Sequence, residues 1–325
     1  MMRLPVPKLS RASVFGLIVA VLIFIEIIVM SPQVLEKENS DFADPGIPLN
    51  ELNAGKGKNG VEQKMQGVHL VENAQNEKGW ELYANEATGR ADGQWTLRAV
   101  KVQFFSKNQP SYVVTGDVGE IESETKDMII RGNANTQSSN GYRFKTDTVR
   151  YLAKQKLMTS SDPVIMEGPP DNSGSGFKLT GEKLLVDLQR NKMSILEKIA
   201  AYKVINNKEF KINSSRADFS NNNQEASFIG NVKMLLGGIN VTAPLAVFQY
   251  SSAKKLLEKI NLSDKVEFFD GDKKGYCGEL EFDMLENKMT MRGQPKVVQG
   301  DDEIKGHEIV FIDGGKKVKI NRDKK

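Results

Sequence analysis

Cysteine and histidine are almost missing from this chain of 325 residues: Cys277 stands alone, and His69 and His307 are its two imidazoles. One cysteine excludes a disulfide framework within the chain. So few thiolate and imidazole groups also remove most transition-metal sites and most nucleophile–base pairs. With only 11 prolines and 28 glycines, against 39% hydrophobic and 27% charged residues, the composition is that of a folded chain and not a collagen-like or disordered one. An excess of one charge is lacking too. Lys plus Arg is 45 and Asp plus Glu is 42, a net charge of +3, so the clustered basic surface of a nucleic-acid binder is not expected. Asp147, Asp187, Asp218 and Asp283 sit beside apolar strand positions without forming a pair, and they read as solvated strand-face or turn residues. Neither histidine has a metal-ligating neighbour at useful spacing. No enzyme activity, cofactor or metal site is expected.

Long hydrophobic runs are also scarce, with one exception. Val14 to Met30, VFGLIVAVLIFIEIIVM, carries a single charge. As a helix rising ~1.5 Å per residue it just reaches the length of a membrane span. No small-x-small cleavage site follows at Met30-Ser31-Pro32-Gln33, so an uncleaved anchor is favoured over a signal peptide. Arg3, Lys8 and Arg11 precede it and Glu36, Glu38, Asp41 and Asp44 follow it, which places residues 1–13 in the cytoplasm and the bulk of the chain in the periplasm of a two-membrane cell. In that oxidising space the lone Cys277 reads as a small buried apolar residue. Glu26 is the one ionisable residue within the span; it either snorkels to the outer interface or meets a polar group on another membrane protein. Residues 31–60, with Pro32, Pro45, Pro48 and three glycines, read as a tether. Gly55 to Gly60 is a literal GxGxxG, but no strand precedes it and no helix follows, as a dinucleotide site requires.

From Val61 onward the pattern is one of short alternating apolar runs, such as Trp80, Leu82 and Ala84, or Val100, Val102 and Phe104, punctuated by Gly, Asn and Asp. This predicts half-buried antiparallel strands. Lys254 to Asn261 and Leu184 to Lys192 are the best helix candidates, both short. A degenerate repeat underlies the pattern: Ala134, Val164, Val232, Val266 and Val297 recur at about 30 to 35 residues, one step being doubled. Gly132-Asn133, Asp162-Pro163, Gly230-Asn231, Asp264-Lys265 and Gly293-Gln294 precede them as punctuation. Each step holds two strands and two turns, which stack as rungs.

An open stack of rungs leaves unpaired backbone groups at its ends, templates for strand addition by another protein. Its apolar inner face could hold acyl chains out of water at ~0.8 kcal/mol per methylene. The candidates for such a lining are Val100, Val102, Phe104, Phe144, Leu179 and Val186 in the first half, and Val232, Val241, Phe248, Val266, Phe282 and Phe311 in the second. The bland alternative is an ordinary dry core in an anchored structural or adaptor protein that binds proteins only.

The order of features resembles a known family. The anchor, the tether, Trp80-x-Leu-x-Ala84, the turn at Gly116, Phe144-Lys-Thr-Asp147 with Tyr151, and Gly176-Phe-Lys-Leu-Thr-Gly181 are similar to LptC, the bitopic component of lipopolysaccharide export, over about Met1 to Tyr202. Ser215-Arg216-Ala217-Asp218, Phe228-Ile229-Gly230-Asn231-Val232, Gly275 to Phe282 and Ile304-Lys-Gly306 resemble LptA or the related OstA-type domain. The resemblance implies an all-β protein with tandem open β-jelly rolls, residues 61–204 and 205–325, after one transmembrane helix. It further implies a bitopic inner-membrane protein that accepts lipopolysaccharide from an LptBFG-like ABC transporter, whose membrane domain the anchor and Glu26 would contact. Delivery to an LptA-like bridge protein or an outer-membrane receiver would use edge-strand addition.

Overall fold

The computed structural model describes residues 47–48, 63–74, 77–90, 93–170, 176–205, 208–220, 225–251 and 256–321. The anchor candidate with Glu26, the Gly55 to Gly60 motif and the tether apart from residues 47–48 lie outside them. Among the described residues all regular structure is strand, and no helix is long and apolar enough to cross a membrane.

The first ten strands are β1 (Ile47–Pro48), β2 (Gln63–Ala74), β3 (Glu77–Gly89), β4 (Gln94–Ser106), β5 (Gln109–Glu122), β6 (Met128–Ser138), β7 (Arg143–Leu152), β8 (Leu157–Glu167), β9 (Lys178–Asp187) and β10 (Lys192–Ile205). They continue as β11 (Lys208–Ser214), β12 (Arg216–Ser220), β13 (Glu225–Leu236), β14 (Ile239–Ser251), β15 (Leu256–Asp270) and β16 (Lys273–Asp283). The last are β17 (Lys288–Arg292), β18 (Lys296–Gln299), β19 (Asp302–Lys305), β20 (Glu308–Ile312) and β21 (Lys317–Asn321). All belong to one 21-stranded sheet. Apart from the two-residue parallel pairing of β1 with β2, the meander is antiparallel. β11 and β12 share one rung, since each pairs with β10 and with β13. β17 and β18 share another against β16.

Both helix candidates are strand. Leu184 to Asp187 ends β9, with Leu188 folded inward after it, and the described part of Lys254 to Asn261 opens β15. Leu184, Leu185 and Leu188 imitate a helical stripe only because a turn follows the strand so closely.

Long strands are broken near their midpoints by bulges. Register shifts fall between Arg131 and Ala134, Ser160 and Pro163, Glu197 and Ala200, Ile229 and Val232, and Ser263 and Val266. Gly132 and Gly230, at φ of 76° and 77°, supply the left-handed turn that a side chain resists. The inner residues of each strand therefore come as two pairs. In β6, β8, β10, β13 and β15 the second pair resumes four positions on, as in Phe228 to Val232; in β7, β9, β14 and β16 it resumes after three, as in Ala243 to Ala246. The sequence repeat is this alternation of two strand types. Ala134, Val164, Val232, Val266 and Val297 are all buried at the inner position that follows the break, and Ile199 fills the doubled step.

A bulge bends its strand, and a line of them folds the sheet in two. Aromatic pairs show that the halves face each other. Phe104 of β4 lies 4.7 Å from Tyr151 of β7, Phe210 of β11 lies 5.6 Å from Phe248 of β14, and Phe268 of β15 lies 6.5 Å from Phe311 of β20. Each pair joins residues from opposite sides of the bulge line. The outer faces carry cross-strand ion pairs such as Lys198–Glu182 at 2.8 Å and Arg292–Glu308 at 2.8 Å, which keep them solvated and mark the inner face by contrast.

Candidate functional site: the inner face of the folded sheet

Backbone register lines the inner side chains into an unbroken ladder. On one half-sheet Trp95, Ile121, Met128, Tyr151, Met158, Val186 and Met193 stand opposite one another in turn. The line passes to Phe219 of β12 and continues through Ala226, Phe248, Ile260, Phe282, Met289 and Phe311 to Val318 of β21. The other half-sheet runs Phe144, Met166, Leu179, Ala201, Ile212, Met234, Val241 and Phe268. No polar break marks the passage from β10 to β12. A chain of aromatic contacts crosses it as well, from Phe177 to Phe219 at 5.9 Å, Phe219 to Phe228 at 6.4 Å and Phe228 to Phe248 at 5.1 Å.

Every lining candidate lies on this inner face. Val100, Val102, Phe104, Phe144, Leu179, Val186, Val232, Val241, Phe248 and Val266 are at most 2% exposed, and Phe282 and Phe311 are 6% and 8% exposed. They belong to one contiguous cluster. Among the described residues the inner side chains are shielded from water along most of the sheet, and its C-terminal end is open: Val318 and Ile320, opposite the buried Phe311 and Ile309, are 46% and 36% exposed. Among the described residues, β21 pairs with β20 alone.

Inward polar groups are few and confined mostly to the first half. Thr146 Oγ1 and Ser160 Oγ lie 2.9 Å apart and satisfy each other. Tyr112 Oη donates to Asn191 Oδ1 at 3.3 Å; burial, helped by Asp187, pushes its pKa up to about 12, so the phenol stays protonated. Burial likewise raises Cys277 to about 12, which leaves the thiol inert. Sequence alternation alone missed Thr136, inward between Val114 and Phe144; its shared parity with Ala134 was the available signal.

Of the four aspartates, Asp147 is exposed, while Asp187 and Asp283 accept backbone N–H groups in turns, from Arg190 at 2.9 Å and Leu285 at 3.0 Å. Asp218 departs from the solvated reading. It faces outward, yet it is 9% exposed beneath Lys192 and Arg216, at 2.9 and 2.7 Å. Desolvation pushes its pKa up, but hydrogen bonds from Arg216, Lys192 and Ser194 together outweigh this and hold the carboxyl below the ordinary range. The cluster clamps β10 to β12, where the two halves of the chain join. His69 stacks on Tyr83 with centroids 4.3 Å apart. Among the described residues no group of three or more His, Cys, Asp or Glu could hold a metal ion.

Comparison with known proteins accords with this architecture. A family model described as lipopolysaccharide-assembly, LptC-related, matches residues 50–204, and one described as LptA/(LptD N-terminal domain) LPS transport protein matches residues 211–313. No curated protein matches the chain. A crystal structure of LptH, the LptA homologous periplasmic component of the lipopolysaccharide transport device of Pseudomonas aeruginosa, aligns at 16% identity over 37% of this chain and 87% of that one, with a TM-score of 0.33. The chain thus joins an LptC-related domain, residues 50–204, to a domain of the LptA/LptD N-terminal type, residues 211–313.

Proposed function

We propose that this chain is a bitopic inner-membrane carrier of lipopolysaccharide, anchored by residues 14–30 and tethered by residues 31–60. It takes the lipid from an LptBFG-like ABC transporter and passes it along two fused β modules, residues 61–204 and 205–325, toward the outer membrane. The observation that carries this reading is the inner ladder running without a polar break from Trp95 to Val318, through both matched domains. Acyl chains moving along such a face exchange one apolar contact for another at every rung, so little free energy is lost at any step. Work is supplied by nucleotide hydrolysis in the transporter, and the chain itself makes and breaks no covalent bond. Glu26 contacts a polar group of the transporter's membrane domain, and the open edge of β21, with Val318 and Ile320 beside it, accepts a strand from an LptA-like bridge protein or an outer-membrane receiver. The shielding of the inner side chains favours a second reading, an anchored adaptor with a dry core. Photocrosslinking in cells separates the two. A photoreactive residue at Phe144, Val241 or Phe282 should capture lipopolysaccharide, whereas one at the outward Thr242 should not; capture at neither face would leave the adaptor reading standing.

A further inference from the structure

The two edges of the sheet are finished differently. At the C-terminal edge β21 leaves its inner residues Val318 and Ile320 46% and 36% exposed, whereas at the N-terminal edge the inner residues of β2, Val68 and Leu70, are 6% and 3% exposed. Among the described residues β2 has one partner on the side away from β3, and that partner is β1. Ile47 takes the register position beside Leu70, so it heads the ladder that runs through Leu82, Val102, Val114 and Thr136 to Phe144. The pairing is parallel, unlike the antiparallel meander it joins. A parallel return needs about a dozen residues or more, and residues 49–62 lie between the two strands.

Contacts across the interior are offset along the sheet. Phe104 of β4 meets Tyr151 of β7, and Tyr112 of β5 reaches Asn191 in the turn between β9 and β10. A residue on the half-sheet of Leu70 thus faces one that lies three or more strands further on. Carried back to the start of the sheet, this offset leaves β1 as the one described strand placed to face Trp95 and Leu97 of β4, which are 2% and 1% exposed. β1 is 2 residues long against the 12 of β2, so a longer strand has more hydrogen bonds to offer the same edge.

We propose that β1 is an autoinhibitory strand: it occupies the edge at which the sheet of a lipid donor would join β2, and it closes that end of the interior until a longer, alternately apolar strand displaces it. The closure against lipid rests on the reading of the interior as an acyl-chain carrier; the competition for the edge does not. The two ends of the sheet are then opened by different events, strand exchange at β2 and strand addition at β21.

The test uses the full chain in detergent, with a labelled peptide copying residues 44–52 as the competing strand and lipopolysaccharide as the lipid. Pro48 and Val71 are register partners, so Pro48→Cys with Val71→Cys, in a Cys277→Ala background, should form a disulfide on oxidation and lock β1 in place. The locked chain should bind the peptide about tenfold more weakly than its reduced form, the worth of roughly one net hydrogen bond, and should take up lipopolysaccharide more slowly. Reduction of the same sample should restore both. Ile47→Asp sets a charge at the head of an apolar ladder and should release β1, so that the peptide binds about tenfold tighter than to wild type and amide hydrogen exchange at residues 69–72 rises. A locked chain that binds the peptide as well as its reduced form would overturn the autoinhibition, and so would a cysteine pair that does not oxidise. Equal uptake of lipopolysaccharide by locked and reduced chains would overturn the closure of the interior. Failure of every form to take up lipopolysaccharide, with the peptide result intact, would instead remove the carrier reading and leave the competition for the edge standing.

Discussion

Phe104 tests how tightly the two half-sheets are closed. It is 1% exposed, stands in register between Trp80 and Tyr112, and meets Tyr151 across the interior at 4.7 Å. Phe104→Ala removes the ring and leaves a cavity that the flanking strands, each hydrogen-bonded on both sides, are poorly placed to fill. The expected loss is about 3–5 kcal/mol. That is a large share of the ~5–15 kcal/mol that holds a typical domain together. In a unit of this size each kcal/mol moves the melting temperature by about 2–4 °C, so a fall of roughly 6–20 °C is expected by circular dichroism in lipid-free detergent. Added lipid gives a second reading. An acyl chain that enters the cavity recovers ~0.8 kcal/mol per methylene buried, so lipid should raise the melting temperature of the variant more than that of the wild type. A variant that melts within about 2 °C of wild type would refute the packed interior, and an equal response to lipid in both proteins would show that acyl chains do not reach this rung.

Two further perturbations address the junction and the second domain. The depressed pKa of Asp218 means that its contribution to stability is fully present above the unfolded value near ~4 and disappears as pH falls through the lower folded value. Asp218→Asn should therefore cost about 1–3 kcal/mol at neutral pH. The gap to wild type should narrow in melts run below about pH 4, and a gap that stays constant down to about pH 2 would contradict the assigned ion pairs. Gly275 leaves no room for a methyl group, since a Cβ there would lie 1.8 Å from the Phe268 ring. Gly275→Ala should displace that ring from Phe311 and cost roughly 1–3 kcal/mol, and a chemical-denaturation midpoint equal to that of wild type would refute this.

Alternation in the sequence located half-strands, not strands. Val100, Val102 and Phe104 announce themselves, but Trp95 and Leu97 on the same strand have the opposite parity, because the break at Ala99, with φ of 51°, changes the phase. Only the backbone geometry shows that both sets face one interior. The lining residues were legible because large apolar side chains at alternate positions have few other places to go. Thr136 and Ser160 were not, since a hydroxyl residue in a strand reads as solvent-facing until its parity is compared with Ala134 or Met158. Asp218 was assigned to the correct face and the wrong environment. Its burial depends on Lys192 and Arg216, which converge on it through the pairing of β10 with β12, and no local pattern encodes that pairing.

The uninterrupted meander also has a length. Neighbouring strands stand ~4.8 Å apart, so the roughly sixteen spacings from β2 to β21, counting split rungs once, carry the sheet through about 75 Å measured across its strands. That reach is set by the number of rungs and not by the length of any strand, because the hydrogen-bonding direction runs along the inner face. Fusing the two domains through β10 and β12 therefore lengthens the continuous inner face within one polypeptide without adding a joint at which a noncovalent partner must dock and could dissociate. A gap of fixed width would be matched in such a protein by whole rungs, gained or lost two strands at a time.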